Sequence, residues 1–150
     1  MTDSTRPVIL LVEDSPADQE LTRRAFLDTL FQVDLRVVND GEEALDYLHR
    51  RGAYRSSESS PTPNLVLLDL NLPRMDGREV LSHMRQEDVF AGIPVVILTS
   101  SDDEREVNKG YELGCNSYVT KPTTFEGFVI MIRNLLDYWL DLVRLPTAAG

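Results

Sequence analysis

Short apolar runs that end abruptly in acidic or hydroxyl residues alternate along this chain with stretches whose apolar residues recur every three to four positions. The first run covers residues 8–12 and closes on Glu13-Asp14. Ser15-Pro16 then supplies an N-cap followed by proline at the first helical position, opening a helix to about Leu30 with Leu21, Ala25, Phe26 and Leu30 at helical spacing. Residues 35–38 form the second run, and Asn39-Asp40-Gly41 turns it into a helix carrying Ala44, Leu45 and Leu48. The third run, 65–68, follows Pro61 and Pro63 and ends at Asp69, where a continuing strand would carry another apolar residue. By pattern alone such a run fits a buried central strand or a segment of buried helix. Pro73 and Gly77 break regular structure after it, so Asp69 stands where a strand gives way to a loop. An aspartate there can simply cap a turn.

A helix over about 77–86 follows, with Val80, Leu81 and Met84 inward. Pro94 opens a fourth run at 95–98, which ends in Thr99-Ser100-Ser101. The helix predicted at 103–113 has a weak apolar face and is expected to be marginal or mobile. A short fifth strand at 117–119 ends near Thr120-Lys121-Pro122, and a final helix covers about 124–143. Residues 52–64, polar and proline-bearing with no helical or strand period, read as an exposed, mobile loop. The alternation (βα)×5 selects an α/β fold, a parallel sheet with helices on both faces and right-handed crossovers.

Length adds that the chain is most simply one domain, with a core over about 7–143, the 52–64 insertion and a short tail at 144–150. Fifteen Lys+Arg stand against 25 Asp+Glu, for a net charge of −10, which argues against sequence-independent nucleic-acid binding. The one cysteine, Cys115, rules out an internal disulfide and fits a reducing compartment. His49 and His83 have no Cys or His at metal-ligand spacing, so a structural zinc site is not expected. No signal pattern and no bilayer-length apolar stretch occurs, so the expectation is a soluble, cytoplasmic protein with no membrane partner.

The chemistry gathers at the carboxyl ends of the predicted strands, the edge where parallel α/β sheets bind ligands. Strand one ends in Glu13-Asp14, strand three in Asp69, strand four in Thr99 and strand five in Lys121. Carboxylates about 4 Å apart repel by roughly 4 kcal/mol at an effective dielectric of 20. Such a cluster calls for a cation, and oxygen-only donors around a compact site suit Mg²⁺ better than a softer metal.

Taken in order, Glu13-Asp14, Asp69 with Asn71-Leu72-Pro73 and Met75-Asp76-Gly77, Thr99-Ser100, and Lys121-Pro122 resemble the response-regulator receiver domain of two-component signalling over essentially the whole chain. The resemblance implies a doubly wound, flavodoxin-like five-stranded sheet of order 2-1-3-4-5. It implies that Asp69 is the phosphoacceptor for a sensor histidine kinase. Asp14, Asp69 and the Asn71 backbone carbonyl would hold Mg²⁺, with Glu13 acting through water. Lys121 would pair with Asp69 and then with the phosphoryl group, across a cis Lys121-Pro122 bond. Thr99 and Tyr118 would form the switch that signals to a downstream protein target. On this resemblance the chain is a signalling protein rather than a turnover enzyme.

The 52–64 insertion and the long apolar last helix are similar to the stand-alone response regulators that partner cyanobacterial and bacterial phytochromes. The residues after Val143 are too few for an effector domain. In the last helix, Phe125, Val129, Ile132, Leu136, Trp139 and Val143 make one stripe, and Phe128, Met131, Leu135, Tyr138 and Leu142 make a second. A helix apolar on two faces must bury both, so the second stripe is expected to form a homodimer contact. Two other classes fit poorly. A haloacid-dehalogenase-type phosphatase wants Asp-x-Asp after its first strand, whereas Asp69-Leu70-Asn71 follows the third. An FMN carrier wants a phosphate loop after strand one, where Glu13-Asp14 would repel phosphate.

Overall fold

The computed structural model describes residues 6–29, 31–56 and 58–147. Five strands, β1 (Val8–Val12), β2 (Asp34–Val38), β3 (Leu65–Leu68), β4 (Val95–Thr99) and β5 (Ser117–Thr120), form one sheet of order β2-β1-β3-β4-β5. All four pairings are parallel. Six helices connect or follow them: α1 (Pro16–Leu27), α2 (Gly41–His49), α3 (Gly77–Gln86), α4 (Asp88–Ala91), α5 (Glu104–Leu113) and α6 (Phe125–Leu136). The short α4 has no counterpart in the sequence reading, and Leu30, the predicted end of the first helix, lies outside the described residues.

Strand alternation divides the core. Leu10, Val12, Val66, Leu68, Val95 and Ile97 pack with α2, α3 and Phe90 on one face of the sheet. Ile9, Leu11, Leu65, Leu67, Val96 and Leu98 pack with α1 and α6 on the other. β1, β3 and β4 are buried on both faces, which is why they read as unbroken apolar runs rather than alternating ones. Ser15 caps α1 as its sequence signal indicated, and Asp40, Asp76, Asp103 and Thr124 likewise each accept a hydrogen bond from the first turn of the helix that follows.

The described residues of the 52–64 insertion are mostly exposed up to Ser59, as expected, but hydrogen bonds tie the segment down. Gly52–Tyr54 is a single 3₁₀ turn, and Ser60 is buried, its hydroxyl donating to the Tyr54 and Ser56 carbonyls. Arg36, Arg50 and Tyr47 donate to the carbonyls of Ser59, Ser60 and Pro61. The segment's own backbone acceptors therefore tie it to α2 and β2, an interaction that composition does not reveal.

The last helix also differs. The α-helix ends at Leu136 and continues as a π-helical turn over Asp137–Leu142, which rotates the following residues out of α register. The buried positions are Phe128, Ile132 and Leu136, one row at a spacing of four. Phe128, assigned by spacing to a dimer face, instead sits in the core against the sheet. The exposed apolar residues are Phe125, Ile130, Tyr138 and, at 75% exposure, Leu142. A helical wheel fixes the angles between residues but not which angle meets the sheet, and the true inward row crosses both predicted stripes.

Candidate phosphoacceptor and cation site

At the carboxyl edge, three strands deliver acid and base to one place. Asp69 follows β3, and its backbone N–H donates to the Val12 carbonyl at 3.0 Å, so the central strand stays paired with β1 up to the acid. Glu13 and Asp14 follow β1, and a carboxylate oxygen from each of Glu13, Asp14 and Asp69 lies within 4.8 Å of the others. Glu13 and Asp69 are buried, while Asp14 is exposed at the mouth.

Close backbone approach makes room for this arrangement. A Cβ on Gly77 would stand 2.2 Å from the Asp69 carbonyl oxygen, so only glycine lets α3 start directly against the loop after Asp69. The Gly77 N–H donates to the Leu70 carbonyl at 2.9 Å and closes that loop. The Asp-Gly pair of the motif thus combines a helix cap with a contact that no side chain would permit.

Lys121, after β5, is the one cation inside the cluster among the described residues. Its Nζ donates to Glu13 Oε1 at 2.6 Å, Asp18 Oδ2 at 2.9 Å and Asp69 Oδ2 at 3.2 Å, using all three of its protons. Burial pushes the Glu13 carboxyl up to about 7, with Lys121 pulling it the other way. Burial also works against the Lys121 charge. Its hydrogen bonds to the Asp18 and Glu13 carboxylates more than offset that, holding its pKa above the ordinary lysine value. Glu13, Asp14 and Asp69 thus form a compact, oxygen-only cluster, a donor set that fits a hard divalent cation.

Thr99 closes the site from β4. The register pairs Leu68 with Ile97, so Thr99 lies one step beyond the level of Asp69. Its Oγ1 is fully buried and, among the described residues, is the one buried side-chain polar atom without a hydrogen-bond partner. A buried hydroxyl left unpaired costs roughly 1–3 kcal/mol, a cost that an incoming acceptor would remove. Tyr118, half-buried on β5, donates its hydroxyl to the Ser101 carbonyl at 3.0 Å, two residues after Thr99. Its ring packs over Gly110, where a Cβ would come within 3.1 Å.

The structure thus brings Glu13, Asp14, Asp69, Thr99 and Lys121 to one edge. Asn71 lies on the exposed side of the loop, its N–H 3.4 Å from Asp69 Oδ1. Glu13 has both oxygens engaged by protein donors, Lys121 Nζ and the Ser15 N–H at 3.0 Å, consistent with a role outside direct coordination. No peptide bond among the described residues is cis, so Lys121-Pro122 is trans, the isomer favoured for X-Pro by about 0.5–1 kcal/mol.

Sequence reading missed two residues. Asp18 contacts Lys121, and Gln19 Nε2 bridges the Glu13 carbonyl at 2.5 Å and Asn39 Oδ1 at 2.8 Å. The available signal was their place in the first turn of α1, whose N-terminus the acidic pair directly precedes.

Residues 9–133 match the response regulator receiver domain, and the chain belongs to that family. It is 43% identical over 150 residues to the response regulator Rcp1 of Synechocystis sp., an alignment covering 99% of this chain and 100% of that one. The crystal structure of the Mn²⁺-bound form of Rcp1 superposes with a TM-score of 0.87, covering 93% of this chain and 99% of that one. The phosphorylated cyanobacterial phytochrome response regulator RcpA, 35% identical, superposes at 0.88 over 94% of this chain and 99% of its own. The doubly wound order that the resemblance implied is observed, in a fold these structures share. No helix among the described residues is long and apolar enough to cross a membrane.

Proposed function

We propose that this chain is a phosphoacceptor whose Asp69 takes a phosphoryl group from a sensor histidine kinase, with a phytochrome kinase as the first candidate. What carries this is the buried Asp69 carboxylate, 3.2 Å from the Lys121 ammonium and inside a three-carboxylate cluster. A carboxylate oxygen of Asp69 attacks phosphorus as the bond to the donor imidazole nitrogen breaks. The electron pair returns to that nitrogen, which takes up a proton. Asp14, Asp69 and the Asn71 carbonyl would hold Mg²⁺, with Glu13 contributing through water. When bound, the cation offsets repulsion between the carboxylate and the phosphoryl oxygens. Lys121 and the unpaired Thr99 hydroxyl supply hydrogen bonds to the transferred group.

Thr99 and Tyr118 would then carry the state of Asp69 to a downstream protein target, as a two-state element biased by one local charge event. The chain acts as one receiver unit, with its core over residues 7–143. The outer face of α6 and its continuation, through Met131, Leu135, Tyr138 and Leu142 with Ile130 now added, is the proposed homodimer surface. A groove of about 780 Å³ between β5 and α6 runs along it.

Incubation with acetyl phosphate or phosphoramidate and Mg²⁺ should add one base-labile phosphoryl group by intact mass, and Asp69→Asn should take none. Full labelling of Asp69→Asn, or equal labelling in excess EDTA, overturns the reading.

A further inference from the structure

The third partner of Lys121 belongs to neither the acidic pair nor the phosphoacceptor. Asp18 reaches the ammonium from α1, at 2.9 Å, closer than Asp69 at 3.2 Å. Its backbone is fixed independently of that contact. The Asp18 N–H donates to Ser15 Oγ at 3.3 Å, and its carbonyl accepts from the Thr22 hydroxyl at 2.8 Å. Its side chain is 28% exposed against 11% for Lys121, so it closes the α1 side of the pocket.

Lys121's other two partners, Glu13 and Asp69, both belong to the carboxylate cluster suited to a cation, and Asp18 does not. We infer that Asp18 is a positioning residue for phosphorylation, keeping the Lys121 ammonium beside Asp69 when cation and phosphoryl group draw on the other two carboxylates. Lysine is a flexible chain with a compact charge, and one fixed partner off the reaction path restricts where its head can go. Misplacement of a catalytic group by about 1 Å can cost up to 10²-fold in rate.

The inference rests on Asp69 being the phosphoacceptor, so wild type and Asp69→Asn are run alongside. If wild type takes no phosphate, that proposal fails and not this one. The phosphorylation rate constant with acetyl phosphate at saturating Mg²⁺ is the readout. Charge alone and positioning predict opposite signs. Removing a carboxylate near an anionic donor should speed the reaction if Asp18 acts only through the field. If it positions Lys121, Asp18→Ala and the volume-preserving Asp18→Asn should both slow it, by about tenfold.

Asp18→Glu, which keeps a carboxylate, should recover part of the rate. In a Lys121→Ala background the Asp18→Ala change should add no further slowing. The Lys121 ammonium signal in ¹⁵N-edited spectra should be visible in wild type and should broaden or vanish in Asp18→Asn while backbone amides stay in place. An unchanged or faster rate in both neutral variants, or full additivity with Lys121→Ala, overturns the assignment.

Discussion

The two helices that flank β5 are held by different physics. α6 rests on the sheet through Phe128, Ile132 and Leu136, all buried against the face shared with α1. α5 fully buries only Gly110, packs Leu113 partly against the core, and is held besides by polar ties. Arg78 of α3 pairs with Glu106, Ser101 donates to Glu106, and Tyr118 donates to the Ser101 carbonyl. Apolar burial is lost only by leaving the sheet, whereas hydrogen bonds between part-exposed groups can be exchanged for others or for water at small net cost. α6 is therefore built as scaffold. α5, joined to the loop after Thr99, can shift cheaply. The 103–113 stretch forms a regular, capped helix, and the polar bridges that help hold it were not visible in the sequence.

The largest effect that tests this contrast is in α6. Ile132→Ala removes a side chain with no exposure and should cost about 2–5 kcal/mol in urea unfolding. A loss below about 1 kcal/mol would mean that α6 is not the anchor. Thr99→Val should act oppositely. It replaces an unpaired buried hydroxyl by a methyl group of the same shape and should raise stability by about 1–3 kcal/mol. It should also remove the phosphorylation-dependent amide shifts in α5, with α6 unaffected in either protein. Shifts as large as in wild type would separate α5 from Thr99.

Cation binding should tighten the carboxyl edge. At tenfold excess over its dissociation constant, Mg²⁺ should stabilise the protein by about 1.4 kcal/mol, reversed by EDTA, with the gain lost in Asp14→Ala. The smallest effect belongs to α5. Glu106→Gln should cost less than about 1 kcal/mol overall, because the pair with Arg78 is part-exposed. It should nevertheless accelerate hydrogen exchange across α5 while leaving α6 unchanged. Equal acceleration in both helices would remove the distinction between them.

Periodicity and punctuation, together with the resemblance carried by the acidic, Thr99 and Lys121 motifs, determined the five strands, five of the six helices and the edge on which those residues would meet. Those features are local. An apolar run buried on both faces, an N-cap and an Asp-Gly turn each depend on residues a few positions apart, so they survive in one dimension. Tertiary structure decided what depends on orientation and on distant partners. It set the row of α6 that faces the sheet, with Phe128 in the core. It also tied the Ser59, Ser60 and Pro61 carbonyls to Arg36, Arg50 and Tyr47, and placed Asp18 on Lys121, 103 residues away in the chain. A charged residue in a first helical turn has the same sequence signature whether it faces water or a buried ammonium. Only packing α1 against the carboxyl edge distinguishes the two.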